Sequence, residues 1–183
     1  MPGVRKLELI SHGVTEALRV ARFPSDEPLT PAGRAALAER AVEPPANARV
    51  LAGPERRTRE TAEVLGLAAA PLSRLRDLDA GAWCGAQLRD VAPGEMSRWL
   101  TEPGYRGHGG ESVLDLRERV GGWLGDLARD PVTTTIAVTH PAVVRAALIL
   151  VLDAAPESFW RIDVAPGSRV RFHHRGAWTL RLT

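Results

Sequence analysis

The sequence predicts a three-layer α/β/α fold, in which helices cover both faces of a mostly parallel central sheet with an antiparallel edge. Strand-like and helix-like segments alternate along most of the chain, as is typical of parallel sheets covered on both faces. Near the C-terminus two strand-like segments instead flank Arg175-Gly176, which indicates an antiparallel hairpin. The length of 183 residues suits a single domain over residues 1–183.

The first half of the chain contains a strand, a helix, a second strand and a second helix in order. Thr30 can cap the first helix, with Pro31 at its first position, and Pro44-Pro45 ends it. The predicted bounds are a strand over Lys6–Ile10, a helix over Gly33–Glu43, a strand over Arg49–Ala52, and a helix from Pro54 to about Leu65.

The second half begins with a loop over Leu72–Ala82 and ends with the hairpin. Ser112 can cap a long helix, because Asp115 lies three residues on and apolar residues follow at helical spacing. The other predicted elements are one or two short helices within Gln87–Leu100, a buried strand over Thr133–Thr139, a helix over Ala142–Leu152, and strands over Arg169–His173 and Trp178–Leu182.

Composition excludes several classes of protein. Net charge is only +2, and basic residues alternate with acidic ones, so we expect no nucleic-acid partner. We expect no membrane association, because no apolar run approaches the roughly 20 residues needed to cross a bilayer. With no signal-peptide pattern, the sequence predicts a soluble, cytoplasmic protein. The single cysteine, Cys84, excludes a disulfide framework and is expected to be buried.

Two histidines follow predicted parallel strands directly. His12 comes after the first strand and His140 after the Thr133–Thr139 strand, so both belong to the sheet edge where α/β proteins bind ligands. Neutral imidazole can attack phosphorus and carry a phosphoryl group. Arg57 lies at the same edge and can stabilise phosphoryl oxygens. Asp77 or Asp79, in the loop, can act as the acid.

Six segments carry recognisable motifs in chain order, namely Leu9–Thr15, Asp26–Gly33, Gly53–Ala62, Leu75–Gly85, Gly109–Ser112 and Val138–His140. These motifs resemble those of the histidine phosphatase (phosphoglycerate mutase-like) superfamily, and Ser11-His12-Gly13 is similar to its Arg-His-Gly signature. Together they cover nearly the whole chain, and the resemblance implies a phosphoglycerate mutase-like fold.

The resemblance also implies roles for individual residues. It makes His12 the nucleophile, Arg57 the phosphate-binding arginine, His140 the second histidine and Asp77, rather than Asp79, the acid. No metal or cofactor is implied. Further substrate-binding residues are expected at Ser11, Gly13, Thr15, Arg22 and Ala142.

The sequence departs from the family pattern at several of these positions. Ser11 replaces an arginine that holds the phosphoryl group, and losing such a contact costs about 2–4 kcal/mol in the transition state. Arg19 or Arg22 is the candidate replacement. Asp77 replaces the usual glutamate, and Pro141 replaces a glycine and so offers no N–H.

Three functions are consistent with this pattern. The first is a phosphatase that hydrolyses a small phosphorylated metabolite through phosphohistidine, since family mutases tend to be longer. The second is an impaired member that binds a phosphorylated ligand or a protein partner without turnover. The third is a phosphoprotein phosphatase, for which the rim formed by Arg22, Phe23, Tyr105 and Arg106 would be open.

Two further histidine sites have simpler interpretations. His108 lies in a glycine-rich loop, and we expect it to be exposed to solvent. His173 and His174 are neighbours in a predicted strand, so their side chains point to opposite faces and do not form a metal site. The sequence gives no indication of the oligomeric state.

Overall fold

The computed structural model describes residues 3–182, and its centre is a six-stranded sheet. Along the sheet the strands follow the order β3-β2-β4-β1-β5-β6. Their bounds are β1 Arg5–Ser11, β2 Arg49–Ala52, β3 Ala70–Pro71, β4 Thr134–Thr139, β5 Arg169–His174 and β6 Trp178–Arg181.

The sheet is parallel on one side and antiparallel on the other. Strand β4 lies between β1 and β2 and is parallel to both, and β3 extends the parallel part beyond β2. Strands β5 and β6 add the antiparallel edge beside β1. The predicted fold class is therefore confirmed, including the C-terminal hairpin.

Six α-helices connect the strands. Their bounds are α1 Glu16–Arg19, α2 Pro31–Ala38, α3 Arg56–Val64, α4 Pro93–Thr101, α5 Val113–Arg129 and α6 Pro141–Val151. Helix α2 ends five residues before the predicted Glu43, because Val42 leaves the helix, packs into the core and donates its N–H to the Leu65 carbonyl.

Alternate residues of the central strands pack on opposite faces of the sheet, as the strand geometry requires. Leu7 and Leu9 of β1 face the cluster that includes α5 and α6, whereas Ile10 faces the cluster that includes α2 and α3. Helices therefore pack on both faces of the sheet. The loops at its carboxyl edge are held between these layers.

Caps set the start of two helices as predicted. The Thr30 hydroxyl accepts from the Gly33 N–H at α2. At α5, Ser112 and Asp115 form a reciprocal capping box, which satisfies two backbone donors.

Two predictions about burial are wrong. Cys84 is exposed, because it ends a short 3-10 turn on the surface, where its thiol donates to the Pro24 carbonyl. His108 is buried, because the glycine-rich loop folds inward and places its ring 4.9 Å from the Trp83 ring. Over residues 3–182, every helix is too short or too polar to cross a membrane.

Candidate active site

Five charged or titratable side chains meet at the carboxyl edge of the parallel strands. His12 directly follows β1 and His140 directly follows β4, where it is the N-cap residue of α6. Glu55 and Arg57 follow β2, at the N-cap and the first turn of α3. Asp77 lies in the loop that follows β3. The topology alone therefore brings four separate segments to one place.

His12 is held in one orientation by its own neighbour. Its Nδ1 lies 2.7 Å from the Gly13 carbonyl oxygen. Because a carbonyl oxygen only accepts, Nδ1 must carry the proton, and Nε2 of the neutral ring keeps its lone pair. The Gly13 N–H in turn donates to the Thr61 hydroxyl at 3.0 Å, which fixes the turn after β1.

The surroundings of His12 keep its ring neutral. Burial, followed by the nearby positive charges of His140 and Arg57, lowers the pKa of His12 to about 3. The two histidine rings lie 5.3 Å apart between centroids. His12 therefore has the neutral form that nucleophilic attack requires over the whole neutral pH range.

Arg57 and Asp77 form a charge-assisted pair. Nη2 of Arg57 donates to Oδ2 of Asp77 at 2.7 Å, and the Arg57 side chain is only 3% exposed. Burial alone would raise the pKa of Asp77, but the charges of His140 and Arg57 lower it far below its usual range. Asp77 is therefore ionised in the free protein.

His140 lies between two carboxylates. Its Nε2 lies 2.8 Å from Oε2 of Glu55, and its Nδ1 lies 3.3 Å from Oδ2 of Asp77. Burial would lower the pKa of His140, but the charge of Asp77 and the hydrogen bond to Glu55 raise it above its ordinary value. Positive charge on the ring is therefore stabilised by the site itself.

Glu55 was not among the residues selected from the sequence. It stands two residues before Arg57, at a position where the motif alone indicates no function. Its Oε1 also accepts from the Asp77 N–H at 2.9 Å, and its contact with His140 lowers the pKa of Glu55 against the effect of burial. Glu55 also lies shortly after the carboxyl end of a strand, where ligand sites form. Its position in the sequence was therefore the signal that could have identified it.

The charges of the site cancel when His140 is protonated. Arg57 and His140 then carry one positive charge each, whereas Asp77 and Glu55 carry one negative charge each. The positive potential that a phosphate dianion meets here is therefore lower than in a site with an arginine at position 11. A further positively charged side chain would favour phosphate binding.

A cavity of about 430 Å³ opens beside three of these residues, namely His12, Arg57 and Asp77. His140 lies behind them, fully buried and outside the cavity lining. Of the expected substrate-binding residues, Thr15, Arg22 and Ala142 line the cavity.

Ser11 and Gly13 do not line this cavity. The Ser11 side chain is completely buried, and its hydroxyl has no hydrogen-bond partner within residues 3–182. The Gly13 N–H is occupied by Thr61, so Gly13 contributes its carbonyl to His12 rather than a donor to the cavity.

The two candidate arginines have different surroundings. Arg19 is exposed and pairs with Glu16 at 3.0 Å. Arg22 lines the cavity, and its Nε is buried with no hydrogen-bond partner in the part of the chain that the structure describes. The geometry therefore favours Arg22 as the additional cation.

Asp79 and half of the expected rim do not line the cavity beside His12. Asp79 is exposed and accepts from the Gly81 N–H at 2.8 Å, which makes it a turn residue. Phe23 lines the cavity, whereas Tyr105 hydrogen-bonds Glu95 and Arg106 pairs with Asp115, and neither lines it. Between residues 3 and 182, no group of three or more His, Cys, Asp or Glu side chains has the arrangement of a metal site.

Comparisons with known structures agree with this fold. TTHB049 of Thermus thermophilus is 30% identical, with a TM-score of 0.75 over 91% of this chain and 92% of that one. A phosphoglycerate mutase of the same organism is 29% identical, with a TM-score of 0.74 over 91% of each chain. A mycobacterial glucosyl-3-phosphoglycerate phosphatase is 23% identical, with a TM-score of 0.80 over 97% of each chain, a likeness that shows the fold alone.

A search of curated protein sequences gave no significant match. The family model described as histidine phosphatase superfamily (branch 1) matches residues 7–182, which includes every residue of the cluster described above. Membership of this superfamily supports a phosphatase-type function in broad terms. With the fold, the strand-edge histidines and this match in agreement, the chain belongs to the histidine phosphatase superfamily.

Proposed function

We propose that the protein is a single-domain phosphatase that hydrolyses a small phosphorylated metabolite through a phosphohistidine intermediate on His12. One observation carries the proposal. His12 donates through Nδ1 to the Gly13 carbonyl, which leaves Nε2 unprotonated in a cavity shared with Arg57 and Asp77. A nucleophile, a cation and a carboxyl group therefore border one space of ligand size.

In the first step, Nε2 of His12 attacks phosphorus, and the bond between phosphorus and the ester oxygen breaks. Arg57 stabilises the equatorial phosphoryl oxygens, and Arg22 adds a second positive charge. The leaving oxygen takes a proton from Asp77 as an alcohol departs.

Asp77 must first acquire that proton, since it is ionised in the free protein. A bound phosphate dianion adds negative charge beside Asp77 and raises its proton affinity. Protonated His140, 3.3 Å from Asp77 through Nδ1, is the nearest source of a proton. Glu55, on the other side of His140, holds the ring in place during this transfer.

In the second step, water attacks phosphorus and the phosphorus–nitrogen bond breaks. Asp77, now ionised again, accepts a proton from the water and passes it back to His140, which restores the charges of the free site. Inorganic phosphate leaves, and neutral His12 is restored with its Nδ1–H still donating to the Gly13 carbonyl.

A second function, ligand binding without turnover, is favoured by the same charge balance. Two carboxylates offset the two cations around His12, and Ser11 adds no charge. Such a site would bind a phosphorylated ligand but stabilise the transition state less well.

Hydrolysis of a panel of phosphate esters by the wild-type protein and by His12→Ala separates these functions. The phosphatase proposal predicts release of inorganic phosphate by the wild type and a loss of at least about 10³-fold in His12→Ala. Equal rates for the two proteins, together with measurable binding of phosphate esters, would support binding without turnover.

A further inference from the structure

We propose that the leaving group of the substrate carries an aromatic or similarly flat apolar ring, which binds against an aromatic wall formed by Phe23, Trp99 and Trp160. All three residues line the same cavity as His12 and Arg57. The inference names the substrate class of the proposed phosphatase site and rests on that proposal. It goes beyond the phosphate chemistry, because it concerns the part of the substrate that is not transferred.

The aromatic wall is built from three distant segments of the chain. Phe23 lies between α1 and α2, Trp99 lies in α4, and Trp160 lies in a 3-10 segment over Pro156–Arg161. The ring centroids of Phe23 and Trp99 are 5.4 Å apart, and those of Trp99 and Trp160 are 4.1 Å apart. The Trp160 Nε1 donates to the Trp99 carbonyl at 3.2 Å, which fixes the indole.

Most of the surface beside the aromatic wall is apolar. Leu18, Leu78 and Val164 add apolar surface to the cavity. The Thr15 hydroxyl accepts from the Leu18 N–H, and Nε of Arg145 donates to the Ile162 carbonyl. Asp163 also lines the cavity, but beside the three rings a sugar or polyol would lose its hydration with few partners, whereas an aromatic ring would gain by burial.

Arg145 reinforces the aromatic wall. Its guanidinium lies 5.4 Å from the Trp160 ring centroid and 5.8 Å from that of Phe159. Such cation–π contacts help to hold the indole in place. The cavity of about 430 Å³ has room for a ring beside a phosphoryl group.

Binding of phosphonates, which are not hydrolysed, tests the inference without requiring turnover. Calorimetry would compare 2-phenylethylphosphonate with ethylphosphonate and with 2,3-dihydroxypropylphosphonate. We expect the phenyl compound to bind about tenfold more tightly or better than both others. Equal affinities, tighter binding of the dihydroxy compound, or no binding of any of the three would overturn the inference.

Variants of the aromatic wall locate the effect. Trp160→Ala and Phe23→Leu are both expected to reduce the preference for the phenyl compound to about twofold or less. Ethylphosphonate should still bind, which shows that the variants fold. Trp178→Ala is the matched control, because Trp178 lies on β6 outside the cavity and should leave the preference unchanged. A preference that survives in both cavity variants would contradict the assignment.

Turnover distinguishes the two proposals from each other. The kcat/KM values for 2-phenylethyl phosphate and ethyl phosphate can be compared directly, because both release alcohols of similar basicity. A higher value for the phenyl ester supports both proposals. Phenyl-selective binding without hydrolysis would contradict the phosphatase proposal and still support the aromatic subsite. Hydrolysis that favours ethyl or glycerol phosphate would overturn the aromatic subsite alone.

Discussion

Glu55 holds His140 through its carboxylate, with Oε2 of Glu55 2.8 Å from Nε2 of the imidazole. Nδ1 of the same ring lies 3.3 Å from Oδ2 of Asp77, so both nitrogens of His140 lie close to carboxylates. In the proposed mechanism His140 acts through Asp77 and through its charge, and Glu55 is a positioning residue for it.

Replacing Glu55 by glutamine tests this relationship through the pH profile. The pKa of His140 is raised in the folded protein, so its positive charge is present below that pKa and is lost as the pH rises through it. Glu55→Gln keeps a hydrogen-bond acceptor but removes the charge. We expect the alkaline limb of kcat/KM to move to lower pH by about one unit.

The exposed Glu63, on the same helix α3, provides the control for this prediction. Glu63→Gln should leave the pH profile in place. If Glu55→Gln lowers the rate equally at every pH, Glu55 supports the structure of the loop and does not set the charge of His140.

Substitutions of Arg22 and Arg19 test which arginine supplies the positive charge that an arginine at position 11 would provide. Arg22 lines the cavity, whereas Arg19 pairs with Glu16 at the surface. Arg22→Ala should raise the inhibition constant of inorganic phosphate about tenfold, because a charge-assisted contact is lost. Arg19→Ala should change it less than twofold. Similar effects of the two substitutions on phosphate inhibition would rule out a specific role for Arg22.

The buried neutral ring of His12 makes stability depend on pH. The pKa of His12 falls from its ordinary value of 6.5 to about 3 on folding. Between these two pH values the unfolded chain therefore binds more protons than the folded protein. Stability is therefore lost as the pH falls below 6.5. From pH 6.5 to pH 5 the free energy of unfolding should drop by up to about 2 kcal/mol on account of His12.

Urea unfolding of the wild type and of His12→Gln at both pH values measures this contribution. His108 and His173, whose pKa values are also lowered, add a decrease of the same sign in both proteins. The difference between the two proteins therefore isolates His12. Parallel pH dependences in the two proteins would mean that His12 is not held neutral.

Much of the fold followed from local signals in the sequence. Strand-like segments that alternate with helix-like segments indicated the parallel sheet, and Ser112 with Asp115 indicated the start of α5. Both features depend mainly on residues that are neighbours in the chain. The end of α2 was wrong by five residues, because Val42 leaves the helix for a tertiary contact that no local pattern reveals.

The candidate site was only partly visible in the sequence, for a related reason. His12 and His140 stand directly after strands, so the carboxyl-edge rule and the motifs both indicate them. Glu55 gains its significance only from contacts with His140 and with Asp77, which lie far away in the chain. Burial of His108 likewise depends on a loop closing over Trp83.

The most direct test of the proposed mechanism is to trap the phosphoryl group on His12. The wild-type protein would be mixed with an intact phosphate ester that it hydrolyses. The reaction would be quenched rapidly in alkali, and its peptides would be analysed by mass spectrometry. We predict a phosphoryl group that is stable in base and labile in acid, on the peptide containing His12, formed and lost at rates consistent with kcat. Turnover with no such label, or with the label on another residue, would contradict the mechanism.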